Sequence, residues 1–154
     1  NARTKILARL DHGAAALLGE TLFKNHAKGE LRFAGSDFDD TTLAILRGTK
    51  LEYHMRSRQI IAGRKTDGAE VDVDLSIEEA SPSRISRAQF LVKLRHDRHF
   101  YLTNLGKRPT YVNGQPVLRG ARCRLFANSV IEICSVAVLF TVNDDLMRAL
   151  RAEV

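Results

Sequence analysis

From Leu51 onward, apolar positions fall in short runs separated by turn signals, with no helical period between them. The runs are Leu51 to Met55, Gln59 to Ala62, Val71 to Leu75, Gln89 to Leu94, Phe100 to Thr103, Thr110 to Val112, Gln115 to Val117, Arg122 to Phe126, Val130 to Cys134 and Ala137 to Val142. Many short strands of this kind predict an all-β sandwich over residues 50–143. Asn113-Gly114 is a two-residue hairpin signal joining Thr110-Tyr111-Val112 to Gln115-Pro116-Val117, since both central positions of such a turn need positive φ. Pro116 confines that hairpin to a sheet edge or a loop excursion.

The flanks follow a different period. Asp37 to Arg47 predicts a short helix within a linker region, 34–49: Asp37, Asp39 and Asp40 suit its N-terminus, and Gly48 stops it. Asn143 predicts the cap of a C-terminal helix over 144–154, with Asp144 and Asp145 in its first turn and Arg148 and Arg151 near its end. Short helices are therefore expected at both ends of the sandwich.

At the N-terminus Ile6, Leu7, Leu10, Ala14, Leu17 and Leu18 recur at helical spacing, with Arg3, Lys5, Arg9 and Asp11 on the other side. A lone helix of this length is marginal in water, so the stripe must bury against something. It either packs on its own domain or docks on a partner, with Ile6, Leu10, Leu17 and Leu18 as the contacts. Ala34-Gly35-Ser36 marks a composition shift. Residues 1–33 are accordingly read as an amphipathic helical segment, either native to this position or of separate origin: a distant part of the same protein, or a partner peptide joined to it by fusion.

Apolar content of 44% and charged content of 27% in 154 residues are those of a soluble globular domain with an appendage. No run approaches the roughly 20 apolar residues of a membrane span. Cys123 and Cys134 are too few and too far apart for a disulfide scaffold or a zinc site, and are expected as buried thiols. A net charge of +6 favours anionic partners: nucleic acid, phosphoproteins or acidic peptides. With three Tyr and no Trp, and no known motif, direct nucleic-acid reading has only the charge behind it.

Candidate chemistry gathers in one stretch. Gly63-Arg64 closes one β-like run, and Ser86-Arg87 opens another. Side by side, these strands would bring a guanidinium, a hydroxyl and a second guanidinium to one rim, a donor set that suits a phosphate dianion. The alternatives are an ion pair of Arg64 with Asp67 or Glu70, a turn role for Ser86, and a solvated surface charge at Arg87. His12, His26, His54, His96 and His99 are scattered, and no nucleophile–base–orienter set appears. The chain reads as a binding module, without cofactor, metal site or catalytic residues.

The Gly63-Arg64 pair, the Ile85-Ser86-Arg87 stretch and the Tyr111-Val112-Asn113-Gly114 hairpin, in that order and spacing, resemble a forkhead-associated (FHA) domain. The resemblance implies a sandwich of roughly eleven strands whose loops at one end bind phosphothreonine peptides. It assigns phosphate contacts to Arg64, Ser86 and Arg87, and places Lys107 where the family usually has a small polar residue that also touches phosphate. It leaves Gly63, Asn113 and Gly114 as structural turn residues. Two positions depart from the family: Gln89 stands where a loop-bracing His is usual, and Arg108 where an Asn grips the peptide backbone, followed by Pro109. Lys107 and Arg108 together imply an acidic or multiply phosphorylated ligand. A narrower resemblance lies in Asp37-Phe38-Asp39 through Arg56-Ser57-Arg58, in Asp72 to Ser76, and in the tail Asn143 to Glu153. It implies a nuclear subunit of chromatin complexes, among them the nonspecific-lethal histone acetyltransferase assembly. A second expectation is a phosphate-independent scaffold that docks a partner helix, which residues 1–33 supply or mimic.

Overall fold

The computed structural model describes residues 38–68 and 70–152. Two sheets stack face to face. One has six strands in the order β2-β1-β11-β10-β7-β8, and the other five in the order β4-β3-β5-β6-β9. The first comprises β1 (Ala44–Arg47), β2 (Glu52–Met55), β7 (Thr110–Val112), β8 (Gln115–Val117), β10 (Ser129–Ile133) and β11 (Val136–Val142). The second comprises β3 (Gln59–Gly63), β4 (Val73–Asp74), β5 (Phe90–Leu94), β6 (Phe100–Asn104) and β9 (Arg122–Leu125). All pairings are antiparallel except β3 with β4.

Because side chains alternate along a strand, every second residue faces the other sheet. Leu46, Ile131, Val138 and Phe140 meet Ile60, Phe90, Val92 and Leu102 in one buried cluster. Phe100 and Phe140 join the layers edge to face, with centroids 5.1 Å apart and planes at 73°. Pro116 lies on β8, at the sheet edge, where its missing N–H costs no ladder bond. Asn113 (φ 51°) and Gly114 (φ 82°) both take the left-handed conformation that the hairpin signal demanded.

Three expectations need correction. The short helix expected over 37–47 is instead β1 across Ala44–Arg47, paired on both sides, so the sandwich begins at residue 44 and the described residues hold only the C-terminal flanking helix. All four β1 side chains are buried, so the strand shows no alternation to read. The strand expected over Val71 to Leu75 shortens to Val73–Asp74. Asp74 Oδ1 then accepts from the Ser76 amide (3.1 Å) and hydroxyl (2.6 Å), turning the chain into a 3-10 turn over Leu75–Glu78. Both cysteines are half-buried rather than buried, and Cys134 sits in a turn (φ 53°) just past β10. Helix α1 (Asp144–Ala152) starts where Asn143 Oδ1 accepts from the Leu146 amide at 3.2 Å, and buries Met147 in the core. The segment expected over 1–33, with Ile6, Leu10, Leu17 and Leu18, lies outside the described residues.

Candidate phosphate-binding rim

Strand β3 ends at Gly63, where the segment entering β5 passes so close that only glycine fits. A Cβ at Gly63 would stand 2.0 Å from the Arg87 carbonyl oxygen and 3.0 Å from that of Ser86. The contact is continued by hydrogen bonds: the Arg64 amide donates to the Ser86 carbonyl (3.1 Å), and Arg64 Nε to the Ile85 carbonyl (3.0 Å). This fixes the guanidinium by one nitrogen. Its terminal nitrogens meet no carboxylate among the described residues, so the expected alternative of a pair with Asp67 or Glu70 is not formed.

A third loop joins this junction. The Lys107 amide donates to Ser86 Oγ at 3.2 Å. The hydroxyl accepts in that bond and so keeps its own hydrogen for donation. Arg108 Nη1 reaches the Arg84 carbonyl at 3.3 Å, drawing the 105–109 loop further toward the 81–87 loop. The structure thus brings together Arg64, Ser86, Lys107 and Arg108, with Arg87 exposed beside them. Asn113 and Gly114 are not part of this group. They lie at the far end of β7, where Asn113 Oδ1 accepts from the Val130 amide (2.9 Å) and clamps the hairpin to β10.

Under the rim lies a brace that holds the three loops in register. Gln89 is buried, and its Oε1 accepts from the Ser86 amide at 3.0 Å. Its Nε2 donates toward Asn104 Oδ1 (3.1 Å), the Arg108 carbonyl (3.1 Å) and Thr110 Oγ1 (3.2 Å). Asn104, also buried, donates to the same Arg108 carbonyl, and Thr110 donates to Asn104 Oδ1. A Cβ at Gly106 would lie 2.4 Å from Gln89 Nε2, so the turn packs directly on this amide. An amide serves here because it both donates and accepts.

Two neighbouring carboxylates tether the 75–86 loop from behind. Glu78 accepts from the Thr49 amide and hydroxyl and the Lys50 and Leu51 amides, at 2.6–2.9 Å. Glu79 accepts from the Ser135 amide (2.9 Å), the Ser135 hydroxyl (2.7 Å) and the Ser81 amide (3.1 Å). Burial pushes both carboxyls up, but these hydrogen bonds outweigh it and hold both below the usual carboxylate range. Asp74 behaves alike: burial raises it, while bonds from Ser76 and the Lys65 amide bring it down. These acids are occupied with backbone amides and hydroxyls, whereas the rim keeps Arg64, Lys65, Arg84, Arg87, Lys107 and Arg108. The result is a rim whose cations outnumber its free carboxylates, Asp67 among the latter.

Of the brace, Gln89 was expected from the resemblance, in the place of a loop-bracing His; Asn104, Thr110 and the Glu78 and Glu79 tethers were not among the residues expected from sequence. Asn104-Leu105-Gly106, an amide ahead of a tight turn, was the one local hint of the first of these.

Set against known families, residues 60–134 match the FHA domain. Among solved structures, the chain resembles the N-terminal FHA domain of S. cerevisiae Rad53p in complex with a phosphothreonine peptide (16% identity, TM-score 0.60, covering 70% of this chain and 98% of that one). It also resembles the FHA1 domain of yeast Rad53 determined by NMR (16%, TM-score 0.63, 80% and 91%). A third is the MEK1 FHA domain in complex with a HOP1 phosphothreonine peptide (23%, TM-score 0.54, 67% and 99%). The fold of this chain is the FHA sandwich.

Proposed function

We propose that this FHA sandwich is a protein-interaction module that binds phosphothreonine peptides at the notch formed by Arg64, Ser86 and the 105–109 loop. One observation carries the reading: Ser86 is held between Arg64 and the Lys107 amide with its hydroxyl hydrogen still available, so donors from three loops converge on one place. A phosphomonoester brings about −1.5 to −2 charges at neutral pH. Each bond to it is worth roughly 1.5–3 kcal/mol net. Three or four such bonds, less the ordering cost of association, give micromolar affinity.

Arg108 shapes the preference around the phosphate. With Arg84 and Arg87 beside it, the rim favours acidic or further phosphorylated residues next to the phosphothreonine, in place of the main-chain grip that an Asn would provide. Titrating isotope-labelled protein with phosphothreonine peptides tests this. The amides of Arg64, Ser86 and Lys107 should shift together. Shifts confined to other surfaces would overturn the assignment.

The cellular setting is a further part of the proposal. It rests on the narrower resemblance to microspherule protein 1 in Asp37 to Arg58, Asp72 to Ser76 and Asn143 to Glu153. On that reading the domain works in the nucleus as a recruiting subunit of chromatin complexes such as the nonspecific-lethal acetyltransferase assembly, and performs no chemistry itself.

A further inference from the structure

The outward face of the six-stranded sheet is apolar and buried, where a two-layer sandwich leaves such a face to water. Ile45 is 0% exposed, Val130 2%, Ala137 8% and Leu139 9%, and none of them belongs to the core cluster between the sheets. The strand registers place them together: Ile45 opposite Thr141 on β11, and Leu139 opposite both Arg47 and Val130. Thr141, which donates to the Ile45 carbonyl, is likewise buried.

Among the described residues no helix or turn lies on this face. Helix α1 sends Met147, Leu146 and Leu150 to the inter-sheet core. The loop between β4 and β5 is bound by Glu78 and Glu79 to the turns near Thr49 and Ser135. Strands β10 and β11 are buried along their whole length, the pattern of strands covered on both sides.

We infer that this face is the docking site of the chain's own amphipathic segment, with Ile6, Leu10, Leu17 and Leu18 toward Ile45, Val130 and Leu139. Two matches commit the face to that occupant. Residues 1–37 precede Phe38 and lead directly into β1, a central strand of this face. A helix from Ile6 to Leu18 would be about 20 Å long, and the strands from β2 to β10 span about 15 Å. A tether also sets an effective concentration on the order of millimolar, so a modest affinity suffices.

The inference is independent of the phosphate reading, because the docking face and the notch belong to different surfaces. Methyl NOE spectroscopy on the full wild-type chain tests it without a mutation. Cross-peaks from Leu10 and Leu17 to Ile45, Val130 or Leu139, unchanged on dilution, are expected. Their absence overturns the inference, as does their appearance only between differently labelled copies, which would make a second molecule the occupant. In parallel, Leu10→Asp with Leu17→Asp should lower Tm by several degrees while phosphopeptide affinity changes less than twofold. An unchanged Tm would also overturn it.

Discussion

Gly63 and Arg87 are in backbone contact: the space a Cβ on the first would need is taken by the carbonyl oxygen of the second, 2.0 Å away. That approach lets the Arg64 amide and Nε reach the Ser86 and Ile85 carbonyls, and so sets where the guanidinium stands relative to the hydroxyl. Backbone cannot give way as a flexible side chain can. Gly63→Ala should therefore cost about 2–3 kcal/mol of stability. It should also weaken phosphopeptide binding more than tenfold in the fraction that folds. Chemical denaturation and a binding titration on the same sample check both. An alanine variant with wild-type affinity would show that this approach does not position the site.

The buried amide at Gln89 links Ser86 to Asn104, Arg108 and Thr110. Gln89→Leu keeps most of the volume and removes every one of those bonds. Leaving the Ser86 amide and its neighbours without their partner should cost about 2–4 kcal/mol. Hydrogen exchange at Ser86 should speed up more than at β10 or β11, because the loss is local. Uniform acceleration across the sandwich would point to a general role in the core.

Glu78 and Glu79 give the fold a defined acid limit. Their carboxyls titrate below the ordinary value of 4.5 because, against burial, hydrogen bonds favour the ionised form. A depressed folded-state pKa contributes stability that is present above the unfolded value and is lost as pH falls through the folded one. Tm should be level above about pH 5 and decline below it. Glu78→Gln should cost about 2 kcal/mol at pH 7, and progressively less as the pH falls through the depressed folded-state pKa and the native carboxyl becomes protonated. A penalty that does not change with pH would contradict the charge-based account.

The sandwich was legible because its strands are short, rich in β-branched residues and separated by turn formers, and Asn113-Gly114 fixed one hairpin outright. Strand β1 was not legible. Ala44-Ile45-Leu46-Arg47 is apolar on both faces and follows Asp37, Asp39 and Asp40, so it imitates a capped helix. Asp39 in fact serves a different turn, accepting from the Thr41 and Thr42 amides and hydroxyls and pairing with Arg56. The rim residues showed themselves through two dipeptides, Gly63-Arg64 and Ser86-Arg87. Of the brace beneath them only Gln89 stood out, through its place in the family pattern; Asn104 and Thr110 did not, because they are single polar residues far from it in sequence, with no period to connect them.

The notch itself is tested most directly by paired titrations of one peptide, with threonine or phosphothreonine at the same position, against the wild-type chain and Arg64→Ala. The phosphorylated form should bind the wild type with micromolar Kd. The plain form should bind at least tenfold more weakly, and the difference should vanish in Arg64→Ala while Tm stays within a few degrees. Equal affinity of the two peptides for the wild type, or full retention of the difference in Arg64→Ala, would contradict the account.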